Sequence, residues 1–284
     1  MKKSDLNPIF IIGSARSGTT MLGDILAKHP DIAYWVEPKY IWKYRNPNSN
    51  NDIRNEFEAS ESVINFIQKT FFKYQLKKGK NRFMEKTPSN CFRIPFINKI
   101  FPQGLYINII RDGRDVSLSA YKKWTEKHDN SAYFRRFNIN EYPLIDLPNY
   151  FFEFFIKFYE NKFYRKNTSR WGPITPKIIG YREKSILEAC AFQWRESVEV
   201  SINNLNNLPQ ERVLNIRYED FLNDPTEILG NIFQFASLVH SPEVISYAEH
   251  NIKKYNFEKW KMHSKLVSKI DYILKPTLKK LDYL

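Results

Sequence analysis

The stretch that most constrains the fold of this chain lies at residues 9–20, which read IFIIGSARSGTT. The first four of these residues are apolar, rich in β-branched side chains and too few for a helix, so we expect a buried strand. Gly13 and Gly18 then bracket a short polar loop, and residues 21–28 have the pattern of an amphipathic helix. A strand, a glycine-bracketed loop and a helix start form a cradle for an anion, because backbone N–H groups and the helix dipole point at it.

The loop has the glycine spacing of a phosphate-binding P-loop but lacks the lysine of that motif. After Gly18 come Thr19 and Thr20, where a nucleotide triphosphatase carries Lys followed by Ser or Thr. The cation comes earlier instead, as Arg16 inside the loop. Such a site suits a phosphate that carries another small anionic group and is held without a metal. Taken alone, the same glycine spacing also fits a plain tight turn.

The composition limits the class of protein. A chain of 284 residues with 42% hydrophobic and 16% aromatic residues can bury the core of one large α/β domain or two small ones. The net charge of +13 favours anionic partners, although a solvated lysine-rich surface explains most of the lysines equally well. Cys91 and Cys190 have neither disulfide nor metal-site spacing, so we expect buried thiols in a reducing compartment. The apolar stretch near residue 10 is too short for a signal sequence or an anchor, and we expect a cytoplasmic location.

Short apolar segments alternate with helical segments along the chain. Strands are expected near residues 8–13, 32–36, 82–86, 105–110 and 212–216. This alternation predicts an α/β fold of three layers, with helices on both faces of a central, mostly parallel sheet, as in the P-loop NTPases. We expect residues 1–284 to form a single domain.

A second strand-turn-helix unit repeats the arrangement of the first. The segment 105–110 ends at Arg111, a turn containing Gly113 follows, and Ser119 lies two helical turns further on, on roughly the same side as Arg111. Arg111 and Ser119 together could hold a second phosphate. The charged residues of the turn, such as Asp115, also fit a purely local role in ion pairing and helix capping.

In combination, these segments resemble the sulfotransferases that use 3′-phosphoadenosine 5′-phosphosulfate. Residues 16–20 are similar to the 5′-phosphosulfate loop of that family, and residues 111–119 are similar to its 3′-phosphate element. Residues 85–88 and 217–220 also fall in the family's order. The pattern is most similar to the branch that contains protein-tyrosine sulfotransferases and many bacterial glycan or metabolite enzymes. Ala15 departs from it, because many members have proline at this position.

Two spacings of that branch are kept. In that branch the base glutamate follows the loop arginine by 21 residues, and Glu37 follows Arg16 by the same distance. A lysine of that branch precedes the 3′-phosphate arginine by 25 residues, and Lys86 precedes Arg111 by the same distance. The resemblance therefore implies sulfuryl transfer to a hydroxyl or, less favoured, an amine, with Glu37 as the general base and Arg16 and Lys86 stabilising the developing charge. It implies 3′-phosphoadenosine 5′-phosphosulfate as donor, adenosine 3′,5′-bisphosphate as product and no metal. The residues expected to bind the donor are Ala15, Arg16, Ser17, Gly18, Thr19, Thr20, Arg111, Ser119 and Tyr218.

Several alternatives stay open at this point. His29 and His128 are the other candidates for the base, and Glu37 could instead only form an ion pair with Lys39 or with a loop arginine. A P-loop kinase for a nucleotide or small molecule is a second reading, against which the missing lysine argues. A non-catalytic basic module that binds anionic polymers or a membrane is a third, although nucleic acid is the less favoured partner.

The acceptor is not identified by the sequence. The resemblance does not cover residues 125–185, which we expect to form an acceptor-binding insertion; the acceptor could be a small molecule, a glycan or a lipid. The aromatic run at 150–159 could line an acceptor pocket, contact a membrane peripherally or belong to the core. Whether Lys259 and Lys261 contact the 3′-phosphate stays open, as does the oligomeric state.

Overall fold

Five parallel strands form a single sheet at the centre of the molecule. The structure is a computed structural model, and it describes residues 6–46, 49–125, 172–182, 185–253 and 257–284. The strands are β1 (Ile9–Ile12), β2 (Ile32–Val36), β3 (Arg82–Lys86), β4 (Leu105–Ile110) and β5 (Val213–Arg217). Their order across the sheet is β2-β3-β1-β4-β5, and every neighbouring pair is parallel. All five predicted strands are confirmed, as is the predicted parallel sheet.

Helices connect the strands and cover both faces of the sheet. In chain order they are α1 (Thr19–Leu26), α2 (Lys39–Trp42), α3 (Glu61–Lys77), α4 (Ile94–Ile100), α5 (Gly113–Thr125), α6 (Pro176–Arg182), α7 (Ile186–Leu205), α8 (Tyr218–Asn223), α9 (Pro225–Phe235), α10 (Pro242–Asn251), α11 (Ser264–Val267) and α12 (Asp271–Lys280). Short 3-10 segments include Glu56–Glu58, Pro88–Phe92 and Lys259–His263. No helix within the described ranges has the length and apolar character needed to cross a membrane.

The two faces of the sheet pack against separate hydrophobic cores. Along β1, Phe10 and Ile12 contribute to one core and Ile9 and Ile11 to the other, because successive side chains of a strand point to opposite faces. The first core includes buried residues of α3 and α4, and the second includes those of α1, α8, α9 and α10. Cys91 and Cys190 are both buried thiols, as expected. Helices on both sides of one sheet make the predicted three layers.

The order of the strands identifies the edge of the sheet where a ligand would bind. The chain passes from β1 to β2 and β3 on one side and then crosses to β4 on the other, so β1 and β4 are neighbours at a reversal of strand order. In open α/β sheets, ligands bind outside the carboxyl ends of the strands at such a point. The loop after β1 and the turn after β4 both lie at this edge.

Candidate active site

The loop between β1 and α1 has two residues in the left-handed backbone region. Gly18 has φ of 91°, and a Cβ atom at this position would lie 2.5 Å from the Tyr218 ring, so only glycine fits. Arg16 has φ of 74°, which costs a non-glycine residue about 1–2 kcal/mol. A hydrogen bond of 2.5 Å between the Ser14 and Ser17 hydroxyls and another of 3.1 Å from Ser17 N–H to the Ser14 carbonyl oxygen close the loop. The backbone strain of Arg16 therefore sits in a well-braced turn, as is common at functional sites.

Arg16 joins this loop to the unit after β4. Its Nε donates to the Ser119 hydroxyl at 3.0 Å, and its backbone carbonyl accepts from Arg111 Nη1 at 3.3 Å. The Arg111 guanidinium also lies 4.3 Å from the centre of the Tyr218 ring, which packs against Gly18. The structure thus brings Arg16, Arg111, Ser119 and Tyr218 into one cluster at the predicted edge of the sheet.

The other loop residues that the sequence predicts to bind the donor differ in their exposure to solvent. Ala15, Ser17 and Thr19 are buried, whereas Thr20 is exposed at the start of α1. A ligand in the cradle would therefore meet the hydroxyl of Thr20, whereas the Ser17 N–H already donates to the Ser14 carbonyl oxygen. One helical turn after Thr20 lies Asp24, whose pKa is raised by partial burial and lowered in part by the Lys86 ammonium.

Glu37 and Lys86 form an ion pair at the carboxyl ends of β2 and β3. The two strands pair so that Val36 lies opposite Lys86, and Glu37 N–H donates to the Lys86 carbonyl oxygen at 2.9 Å. Lys86 Nζ lies 2.7 Å from Glu37 Oε1, and Lys39 Nζ lies 3.1 Å from Oε2. Burial raises the pKa of the Glu37 carboxyl, but the Lys39 and Lys86 ammonium groups outweigh it and lower the pKa to about 2. Glu37 is therefore a carboxylate at neutral pH with one ammonium on each oxygen.

A buried carboxylate next to Lys86 supports the end of β3. Glu85 is fully buried and accepts hydrogen bonds from Asn90 Nδ2 at 2.6 Å, from Trp42 Nε1 at 3.2 Å and from the Thr87 hydroxyl. Burial raises the pKa of Glu85, and these hydrogen bonds lower it in part. Thr87 and Asn90 follow β3 directly and Trp42 ends α2, so Glu85 ties the end of β3 next to Lys86 to both of these segments.

The structure also brings residues to the site that the sequence did not indicate. Trp194 of α7 donates its indole N–H to the Arg111 carbonyl oxygen at 3.1 Å. Glu219 of α8 accepts the Asp112 N–H at 3.0 Å. Trp260 stacks on the Arg114 guanidinium at 3.8 Å. Glu219 lies in the segment 217–220 noted in the sequence, but no contact with the Arg111 turn was predicted for it. No motif marks Trp194 or Trp260, because each is many positions away from that turn and becomes a neighbour only through packing of the helices.

The turn after Arg111 has the local role that its charges suggested. Asp112 caps α5 by accepting the Arg114 N–H at 2.8 Å and also pairs with the Arg114 guanidinium, at 2.6 Å. Asp115 lies 3.5 Å from Arg111 and accepts the Trp260 N–H at 2.9 Å. Local pairing and a phosphate site are therefore compatible, because Asp112 and Asp115 hold the turn on which Arg111 stands.

The next residues to consider are the histidines that were alternative candidates for the base and the lysines that were candidates for contact with the 3′-phosphate. His29 is buried, its Nε2 pairs with the Val239 carbonyl oxygen at 2.8 Å and its Nδ1 accepts the Asp31 N–H, so its role is structural. His128 and the aromatic run at 150–159 lie outside the described residues. Lys261 pairs with Glu258 at 2.6 Å. Among the described residues, no group of three or more His, Cys, Asp and Glu side chains is arranged to hold a metal ion, and the expectation that none is needed stays a prediction.

Comparisons with known proteins agree with this geometry. Residues 8–144 match the profile described as the sulfotransferase family. A putative protein-tyrosine sulfotransferase of Caenorhabditis briggsae is 30% identical over 122 residues, which cover 40% of this chain and 43% of that protein. Nodulation protein NoeE of Sinorhizobium fredii is 23% identical over 142 residues, covering 42% of this chain and 33% of that protein. The chain matches less than half the length of these relatives.

A solved structure has the same fold. The sulfotransferase domain from the curacin biosynthetic pathway superposes with a TM-score of 0.55 over 95% of this chain and 98% of that chain, at 17% identity. The fold is thus the α/β fold of the solved sulfotransferases, with its parallel sheet and flanking helices. Residues 8–144, slightly less than half of the chain, are similar in sequence to the sulfotransferase family.

Proposed function

We propose that this chain transfers the sulfuryl group of 3′-phosphoadenosine 5′-phosphosulfate to a hydroxyl of an acceptor. One observation carries the proposal: Arg16 bonds both to Ser119 and to Arg111, so that two anion-binding units meet in one site. A ligand with anionic groups at two ends suits such a site better than a single phosphate does. The similarity of residues 8–144 to the sulfotransferase family supports the same reaction class.

The residues present fit this donor. The loop between β1 and α1 offers backbone N–H groups at a helix N-terminus, and the Tyr218 ring lies so near Gly18 that a Cβ atom there would collide with it. These N–H groups and Arg16 would hold the 5′-phosphosulfate. Arg111 and Ser119 would hold the 3′-phosphate. When bound, the donor supplies the sulfuryl group, whose bond to the 5′-phosphate breaks as the acceptor oxygen bonds to sulfur.

Glu37 would remove the proton of the acceptor hydroxyl. It is ionised at neutral pH, and its carboxylate oxygens keep lone pairs beyond those used by the two ammonium groups. A carboxyl with a pKa of about 2 is nevertheless a weak base near neutral pH. If the Lys86 ammonium moved its contact from Glu37 to the sulfuryl oxygens, the pKa of Glu37 would rise. Glu37 would then be a stronger base at the moment when it accepts the proton of the acceptor.

Lys86 and Arg16 would balance the negative charge that develops during transfer. Lys86 is almost fully buried, and a fixed cation in a site of low dielectric interacts strongly with developing charge. Arg16 is exposed at the mouth of the loop and already bridges the two units. Loss of one such donor commonly lowers turnover by a factor of about a hundred to a thousand.

The reaction can be tested without knowing the acceptor, which we propose to be a small molecule, a glycan or a lipid. The purified chain is incubated with the donor carrying labelled sulfate and with an extract of the source cell, with and without a magnesium chelator. We expect a labelled product in both conditions and about a hundredfold to a thousandfold less of it with Lys86→Ala. A parallel incubation uses a nucleoside triphosphate labelled in its terminal phosphate. Magnesium-dependent labelling there, with no label transferred from the sulfate donor, would favour a kinase.

A further inference from the structure

The peptide group between Arg111 and Asp112 is held from both sides. Its carbonyl oxygen accepts the indole N–H of Trp194 at 3.1 Å, and its N–H donates to Glu219 Oε1 at 3.0 Å. Because a peptide group is planar, holding both of its polar atoms fixes its orientation and with it the ψ angle of Arg111. The two bonds therefore help to set the direction in which the Arg111 side chain leaves the end of β4.

Glu219 is in turn oriented by Tyr283. The Tyr283 hydroxyl donates to Glu219 Oε2 at 2.7 Å, so both carboxylate oxygens are used. Tyr283 itself is held by its backbone oxygen, which accepts from Arg114 Nη2 at 2.9 Å, and by the Arg217 guanidinium 4.7 Å from its ring centre. Arg217 also donates to the Leu281 carbonyl oxygen. The segment 281–283 is thus tied to β5 and to the start of α5.

Burial adds to the importance of these bonds. Burial raises the pKa of Glu219, while the bonds from Asp112 N–H and Tyr283 lower it in part. Removing either donor would leave a carboxylate oxygen in a poorly solvated place without its partner. The expected response is a shift of the Glu219 side chain, which would release the Asp112 N–H and loosen the Arg111 peptide.

We propose that Glu219 and Tyr283 are positioning residues for the 3′-phosphate, acting through the orientation of Arg111. The inference rests on the proposed function, since it takes Arg111 as the 3′-phosphate contact. It makes the segment 281–283 a part of the donor site, although this segment is 64 or more residues beyond Arg217 in the chain. A purely stabilising role would affect the affinity for every nucleotide equally.

The test compares two ligands that differ only in the 3′-phosphate. Calorimetry measures the affinities of adenosine 3′,5′-bisphosphate and of AMP for the wild type, Tyr283→Phe, Glu219→Ala and Glu219→Gln. We expect Tyr283→Phe to lower the bisphosphate affinity by about threefold to tenfold and Glu219→Ala by about tenfold or more, with AMP affinity unchanged. Glu219→Gln keeps an oxygen for the Asp112 N–H and should lose less than Glu219→Ala.

A matched control comes from the same part of the chain. Tyr272 also donates its hydroxyl to a glutamate, Glu188 Oε1 at 2.6 Å, but on the surface, so Tyr272→Phe should change neither affinity. Equal losses for AMP and the bisphosphate, or an unchanged ratio of the two affinities in both Tyr283→Phe and Glu219→Ala, would overturn the inference. If the wild type itself gains nothing from the 3′-phosphate, the proposed function fails instead.

Discussion

Replacing Lys86 by methionine should raise the pKa of Glu37 above its ordinary value. Methionine keeps most of the volume of the lysine side chain, which is buried, but removes the ammonium 2.7 Å from Glu37 Oε1. Glu37 then keeps Lys39 as a partner, whose side chain is 60% exposed. Solvent screens that exposed ammonium, so we expect burial of the carboxyl, which disfavours its charged form, to outweigh it.

The magnitude follows from the pKa and the exposure of each partner. A fall from 4.5 to about 2 corresponds to about 3 kcal/mol in favour of the ionised carboxyl. An exposed ion pair such as that with Lys39 is worth about 0–1 kcal/mol, which is less than one pKa unit. Of the two ammonium groups, Lys39 lowers the pKa of Glu37 first and Lys86 second when solvent screening is left out. Because Lys39 is 60% exposed and screened by water, we expect the buried Lys86 to contribute the larger share in solution. We expect Lys86→Met to bring the pKa of Glu37 above 4.5 and Lys39→Met to raise it by less than about one unit.

The assay is a pH titration of the glutamate carboxyl carbons by NMR, with Glu37→Gln in the same background to assign the signal. Stability gives a second readout with a definite sign. In the wild type, the contribution of Glu37 is present above pH 4.5 and is lost as the pH falls toward about 2. In Lys86→Met the raised pKa reverses this, so that stability falls as the pH rises through it. A pKa that stays near 2 in Lys86→Met, or a larger rise in Lys39→Met, would refute the reasoning.

Further changes test the base and the loop. Glu37→Gln should lower turnover by about two to four orders of magnitude with little change in bisphosphate affinity, since the amide cannot accept a proton. Equal losses of turnover and of bisphosphate affinity would mean that Glu37 only supports the structure of the donor site. Near-normal turnover would mean that another residue is the base. Gly18→Ala should weaken AMP binding by about tenfold, because its Cβ would collide with the Tyr218 ring. Its control, Gly230→Ala in α9, has open space for the Cβ and should leave binding intact. Unchanged AMP affinity in Gly18→Ala would remove the loop from the phosphate site.

The elements that the sequence predicted well are those whose signal is local. The strand β1 was readable from four apolar residues before a glycine. Gly113 was expected in a turn before the helix, whereas α5 begins at Gly113 itself. The reason is that the Asp112 side chain caps the turn and allows the helix to begin directly after it.

The parts of the site that depend on packing were not readable. The two spacings singled out Glu37 and Lys86, which are in contact, but this contact depends on the pairing of β2 with β3, which sequence alone does not specify. Glu219 and Tyr283 reach the Arg111 turn from positions far along the chain. Glu219 lies in the segment 217–220 noted in the sequence, but its contacts with Asp112 and Tyr283 were not predicted, and only the three-dimensional arrangement reveals them.

The most direct test of the account is whether one site holds both phosphates of the bisphosphate. Calorimetry in the presence of a metal chelator should show adenosine 3′,5′-bisphosphate binding to the wild type more tightly than AMP. Arg111→Ala and Ser119→Ala should lose most of that difference while AMP affinity stays close to that of the wild type. If AMP binds as tightly as the bisphosphate, Arg111 and Ser119 do not hold a 3′-phosphate and the account of the donor site is wrong.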